Sequence, residues 1–137
     1  MKQFLELAAL ALLVASPAAA QSRPPLDPAQ AIAAAVKGDV EGVFEFQVGS
    51  VGESGFAVYL NSNADYRDPA NLTVELKPGA IAELKTRLGG EPRELLAGKR
   101  IRVTGVAKRV PIPRRDGTTY YQTRIDADRG NQIEITG

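Results

Sequence analysis

Residues 38–61 read GDVEGVFEFQVGSVGESGFAVYLN, and the spacing of their apolar side chains decides the fold class. Val40, Gly42, Phe44, Phe46 and Val48 fall on one face of an extended chain, with Glu41, Glu45 and Gln47 on the other. Alternation with a period of two marks a strand that buries one face. Gly49 and Gly52 interrupt the run and Gly55 offers a turn. Beyond it Phe56, Val58 and Leu60 face inward while Tyr59 and Asn61 face outward. The expectation is two strands joined by a glycine-rich turn.

The same alternation continues downstream. After the polar loop NSNADYRDPA, Leu72, Val74 and Leu76 alternate with Thr73, Glu75 and Lys77, and Pro78 and Gly79 end that third strand. The period then becomes helical: Ile81, Leu84 and Leu88 share a face, and Gly89 and Gly90 stop the helix. The turn PRELLAG leads into a fourth strand, with Ile101, Val103 and Ala107 inward and Arg100, Arg102 and Lys108 outward. A fifth, TTYYQTRI, puts Tyr121, Thr123 and Ile125 inward, and QIEI extends or completes an edge. Upstream, Asp27 as N-cap and Pro28 at the first helical position open a short alanine-rich helix with Ile32 and Val36 inward.

Three strands, a helix and two strands in about a hundred residues is the order of a mainly β, five-stranded Greek-key OB-fold (oligonucleotide/oligosaccharide-binding) barrel, with a helix between strands three and four. Gly42, Gly49 and Gly105 are places where its strands could coil or bulge. An open α+β sheet is the alternative. The segments GDVEGVFEFQVGSVGESGFAVYLNSNADYR and LAGKRIRVTGVAKR carry a resemblance. Through the VYLN strand, the ADYR loop and the GKRIRVTG opening of strand four, residues 31–135 resemble the OB-fold modules of exported bacterial proteins, including those attached to secreted nucleases. The resemblance implies a binding module rather than an enzyme. The proline-bearing hairpin over residues 111–117 is longer than in that pattern.

The first 20 residues, with Lys2, an apolar run over 7–15 and Ala18, Ala19 and Ala20, read as an export signal cut after Ala20. The run is far shorter than the ~20 residues of a membrane span, so no transmembrane segment is expected after cleavage. Residues 21–26 read as a flexible lead-in and 27–137 as one OB-fold domain, placed in the periplasm or outside the cell. The chain has no cysteine and no histidine, which excludes disulfides, thiol nucleophiles, histidine-based triads and the common zinc sites. Asp65, Asp68, Asp126 and Asp128 lack a calcium-loop pattern and read as turn residues. No catalytic residue, metal site or cofactor is expected.

What remains is charge. AKRVPIPRRDGTTYYQTRI, residues 107–125, gathers five Lys or Arg residues around a turn. In an OB fold the loop joining strands four and five flanks the ligand face. Lys108, Arg109, Arg114 and Arg115, with Arg67 and Arg124, are therefore candidate phosphate contacts, and Tyr59, Tyr66 and Tyr120 candidate stacking surfaces. The plainer reading makes the cations a solvated strand face that discourages aggregation, and the tyrosines surface or core-edge fillers, with Tyr121 in the core. Glu41, Glu45 and Glu75 lie on strands of the expected binding face and would repel a polyanion. Two partners follow: single-stranded nucleic acid or another polyanion, or, for an envelope adaptor, an acidic protein, a glycan or a lipid head group.

Overall fold

A computed structural model describes residues 24–137. The export-signal segment and residues 21–23 of the lead-in lie outside it. Helix α1 (Pro28–Ala35) leads into strands β1 (Val40–Gln47), β2 (Ser50–Ser54), β3 (Ala57–Asn61) and β4 (Leu72–Leu76). Helices α2 (Pro78–Leu88) and α3 (Pro92–Leu95) follow, then β5 (Arg100–Pro113), β6 (Thr119–Ala127), a 3-10 turn (Gly130–Gln132) and β7 (Ile133–Ile135). No helix among the described residues is long and apolar enough to cross a membrane.

All seven strands belong to one sheet, ordered β1-β5-β6-β4-β3-β2, with β7 pairing β5. The expected five-stranded closed barrel is thus corrected to a seven-stranded sheet in which β1 and β2 share no ladder. The reason lies at Val48 and Gly49. β1 ends at Gln47 and the chain changes partner across the next two residues: the Val48 N–H donates to the Lys99 carbonyl (2.8 Å) and the Gly49 N–H to the Asn61 carbonyl (2.7 Å). Adjacent residues therefore bond the β5 side and the β3 side of the strand order, and the sheet must curl to permit it. A Cβ on Gly49 would sit 2.8 Å from the Ser62 carbonyl oxygen, so only glycine fits this crossing. A Cβ on Gly105 would sit 2.9 Å from Ile125 Cγ2, whereas one on Gly42 would meet open space.

Most strand phases hold. Phe44, Leu60, Val74, Ile101, Val103 and Ile125 meet in one core. α2 covers it with Ala80 and Leu84, assisted by Ile81 and Leu88, and ends at Gly89 in the left-handed region (φ 79°). Asp27 caps α1 in a reciprocal box with Gln30. The inward residues of α1 are Ala31 and Ala35, correcting Ile32 and Val36: small side chains let the helix sit close, and Val36 is left exposed. Phe56, expected inside, is 87% exposed because it sits at the β2–β3 turn, beyond the last paired residue Ala57. Leu26, in the lead-in, bridges Phe44 and exchanges backbone hydrogen bonds with Val43 and Glu45, so ordered structure begins upstream of Asp27.

Candidate functional site: a groove beside a cationic ribbon

Outward side chains of β2, β3, β4 and β6 line a groove of about 290 Å³. A cross-strand row makes its floor: Asn61 lies opposite Thr73, and Thr73 beside Arg124. Tyr59 stands one row away, Tyr66 comes from the loop over residues 62–71, and Ile112 comes from β5. Gly52, Glu53, Ser54 and Gln122 complete the lining.

Asn61 and Thr73 occupy the outward phase of their strands yet are only 4% and 2% exposed. The 62–71 loop folds across them. It is shaped by three short side-chain turns: Asn63 Oδ1 accepts from the Asp65 N–H, Asp65 Oδ1 from the Arg67 N–H, and Asp68 Oδ1 from the Ala70 N–H. The Arg67 backbone N–H, and then its guanidinium, hold the Asp65 carboxyl below its ordinary value. Asp65 and Asp68 thus serve the turn itself. Ser62 Oγ accepts from the Leu72 N–H and fastens the far end.

Arg124 ties the floor together. Its guanidinium donates to Glu75 (3.2 Å) and Gln122 (2.8 Å) and lies 5.7 Å from the Tyr59 ring centroid, while its Nε is buried without a partner. Glu75 also receives Lys77 at 3.0 Å, and that contact raises the Lys77 pKa. Glu45, on the opposite side of the sheet order, is held between Arg100 (2.6 Å) and Arg102 (2.9 Å). Two of the three acids expected to repel a polyanion are therefore already paired with cations.

Past Ala107, β5 has only β6 beside it, and the two run out as a ribbon to the turn at residues 114–118. The register sorts the basic residues. Lys108 lies opposite Arg124 and Ile112 opposite Tyr120, so these share the groove side. Arg109 and Tyr121 take the other side, where the guanidinium stacks 3.5 Å from the ring centroid. Tyr121 keeps its inward phase but is 49% exposed, correcting its core assignment, because the ribbon has outrun the core. Arg114 stacks on Tyr120 at 4.6 Å, and Arg67 on Tyr66 at 5.5 Å. Each of the four tyrosines in the chain thus carries an arginine.

The ribbon's acid, Asp116, is spent inside the turn. It accepts from the Thr118 hydroxyl (2.6 Å) and backbone N–H (2.9 Å), and both bonds lower its pKa. Among the described residues Lys108, Arg109, Arg114 and Arg115 pair with no carboxylate. Of the nine residues singled out from the sequence, Tyr59, Tyr66 and Arg124 line the groove and Lys108 and Tyr120 extend its face. Arg67, Arg114 and Arg115 lie in the bordering loop and turn, and Arg109 is on the reverse side. Asn61, Thr73, Gln122 and Ile112 were missed. The available signal was the cluster of asparagines at positions 61, 63 and 71.

No protein-family model and no curated protein matches the chain. Among solved structures it is similar to aspartyl tRNA synthetase from Entamoeba histolytica, at 16% identity and a TM-score of 0.50, over 84% of this chain and 23% of that one. A protein from Leishmania major Friedlin assigned as an aspartyl-tRNA synthetase aligns at 11% identity and a TM-score of 0.48, over 83% of this chain and 21% of that one. The chain spans less than a quarter of either protein. At such identity the first likeness concerns the fold, which is β-rich and OB-like.

Proposed function

We propose that this chain is an exported, non-enzymatic OB-fold module, akin to the modules of exported bacterial proteins, that binds single-stranded nucleic acid. One observation carries the reading: a ribbon on which Lys108, Arg109, Arg114 and Arg115 have no carboxylate partner among the described residues runs out from a groove walled by Tyr59 and Tyr66. Unpaired cations suit a phosphate backbone, and flat rings suit bases of any sequence. The path is continuous, since Lys108, Tyr120 and Arg114 follow the groove along the ribbon. A solved structure that shares the fold is named for tRNA, which accords with this choice. Export rests on the leader-like first 20 residues.

The test begins with protein recovered from the periplasm or medium, with Gln21 expected at its N-terminus. It is titrated into labelled single-stranded DNA and RNA at low and physiological salt, with a polyanionic glycan as competitor. Binding should weaken linearly on a log–log plot against salt. Replacing Lys108, Arg114 and Arg115 by alanine should flatten the slope by about 2, from ~0.7 per phosphate contact. Absence of saturable binding at low salt, or equal displacement by the glycan, would move the reading to an envelope adaptor.

A further inference from the structure

The groove floor contains a hydrogen-bond relay whose direction is fixed at its start. The backbone N–H of Asn63 can only donate, and it donates to Oδ1 of Asn71 at 2.9 Å. The Asn71 amide is thereby oriented, and its Nδ2 donates to Thr73 Oγ1 at 2.8 Å and to the Tyr66 carbonyl at 3.3 Å. That carbonyl can only accept, which confirms the orientation from a second side. Thr73, having accepted, has one proton to give, and it gives it to Asn61 Oδ1 at 2.8 Å. The relay leaves Asn61 with its oxygen engaged and its Nδ2 facing onward. Asn61 is 4% exposed and lines the groove; with its Oδ1 taken by Thr73, its Nδ2 makes no hydrogen bond among the described residues and is not fully buried, which leaves that donor to the groove.

The charged and amide groups around it are engaged with one another, except Arg124 Nε, which is without a partner. Gln122 and Arg124 bond each other, Arg124 also holds Glu75, and Glu53 is engaged by Arg93. The walls are the rings of Tyr59 and Tyr66 and the side chain of Ile112. At about 290 Å³ the space is at the small end for ligand pockets, which run from about 300 to 1,000 Å³. It suits one flat heterocycle that offers an acceptor.

We infer that Asn61 is the base-reading donor of this groove, so that the site prefers keto bases, guanine and thymine or uracil, over the amino bases adenine and cytosine. The inference rests on the nucleic-acid reading above. A nucleotide whose phosphates follow the ribbon enters the groove by the edge farthest from its sugar. At the exocyclic position of that edge, C6 of a purine or C4 of a pyrimidine, guanine carries O6 and thymine O4, but adenine and cytosine carry an amine. An amine there would meet Asn61 donor to donor.

Thymine and 5-methylcytosine isolate this contact, since they share ring size and methyl group and differ at the acceptor edge. Homopolymers of the two, titrated against the full mature protein at one salt concentration, should differ by roughly tenfold in favour of thymine. Asn61→Asp keeps the Thr73 bond and turns the free donor into an acceptor. It should abolish or reverse the preference. If Asn61→Asp does not fold, the wild-type ratio decides alone. Equal, salt-sensitive binding of both homopolymers would overturn the role of Asn61 while leaving the nucleic-acid reading intact, and so would an unchanged ratio in a folded variant. Failure to bind either strand would remove both.

Discussion

Along β5, Arg100 and Arg102 sit where the strand pairs with β1, and Lys108 and Arg109 sit where it continues as half of a ribbon. In the sequence the two pairs look alike, basic residues beside Ile101, Val103 and Ala107. In the fold the first pair faces Glu45 across β1, with Glu134 on β7 at the edge, while the second has as its neighbour β6, which brings Arg124 and Thr123. The partner strand thus decides whether a basic residue is neutralised or left without a carboxylate partner. Charge counted along the chain cannot distinguish the two, and charge counted across strands can.

The contrast fails if the ribbon turns out to hold the fold together, and variants of the body provide the scale. Phe44, fully buried and opposite Val103, should cost ~3–5 kcal/mol when changed to alanine, read from urea denaturation. The triple ribbon variant should stay within ~0.5 kcal/mol of wild type in the same measurement. Comparable losses would mean that the ribbon is structural. Gly49→Ala tests the curl that sets the ribbon apart. Its Cβ would meet the Ser62 carbonyl oxygen at 2.8 Å, and backbone there cannot yield as a side-chain end can. A loss of ~1–3 kcal/mol is expected, against a small effect of Gly42→Ala, where the space is open.

Strand phases were legible because a half-buried strand writes its faces into every second residue. α1 and α2 were legible from Asp27–Pro28 and from the Ile81, Leu84 and Leu88 spacing closed by the Gly89–Gly90 pair. The strand Ser50–Ser54 was missed because Gly49, Gly52 and Gly55 read as one glycine-rich turn, and a glycine that ends a strand cannot be told locally from one that lets the chain change partner. Tyr121 was misplaced for a related reason: alternation reports a face but not how far along the strand the core extends. The burial of Asn61 and Thr73 was invisible to alternation, since the 62–71 loop that covers them is polar and reads as exposed. The site residues that periodicity could find are those projecting from strands. Those organised by a folded-over loop required the fold.

The smallest expected effect bears on the neutralised half of the contrast. Hydrogen bonds from Arg100, then Arg102, hold the Glu45 carboxyl below its ordinary value of 4.5. The folded protein therefore binds that proton less readily than the unfolded chain. Glu45 contributes stability that is whole above pH 4.5 and fades as the pH falls through its folded-state value. Glu45→Gln should lower the urea midpoint modestly at neutral pH, and the difference from wild type should close on acidification. The change also leaves Arg100 and Arg102 without their main acid partner, converting the body pair into the condition of the ribbon pair. If freedom from a carboxylate were all that matters, oligonucleotide affinity should rise. It should instead stay within about twofold, because Arg102 borders a separate depression, with Arg87, Gln132 and Glu134, rather than the groove. A clear gain in affinity would show that pairing alone separates the two halves of β5, and an unchanged affinity that placement beside the groove is required as well.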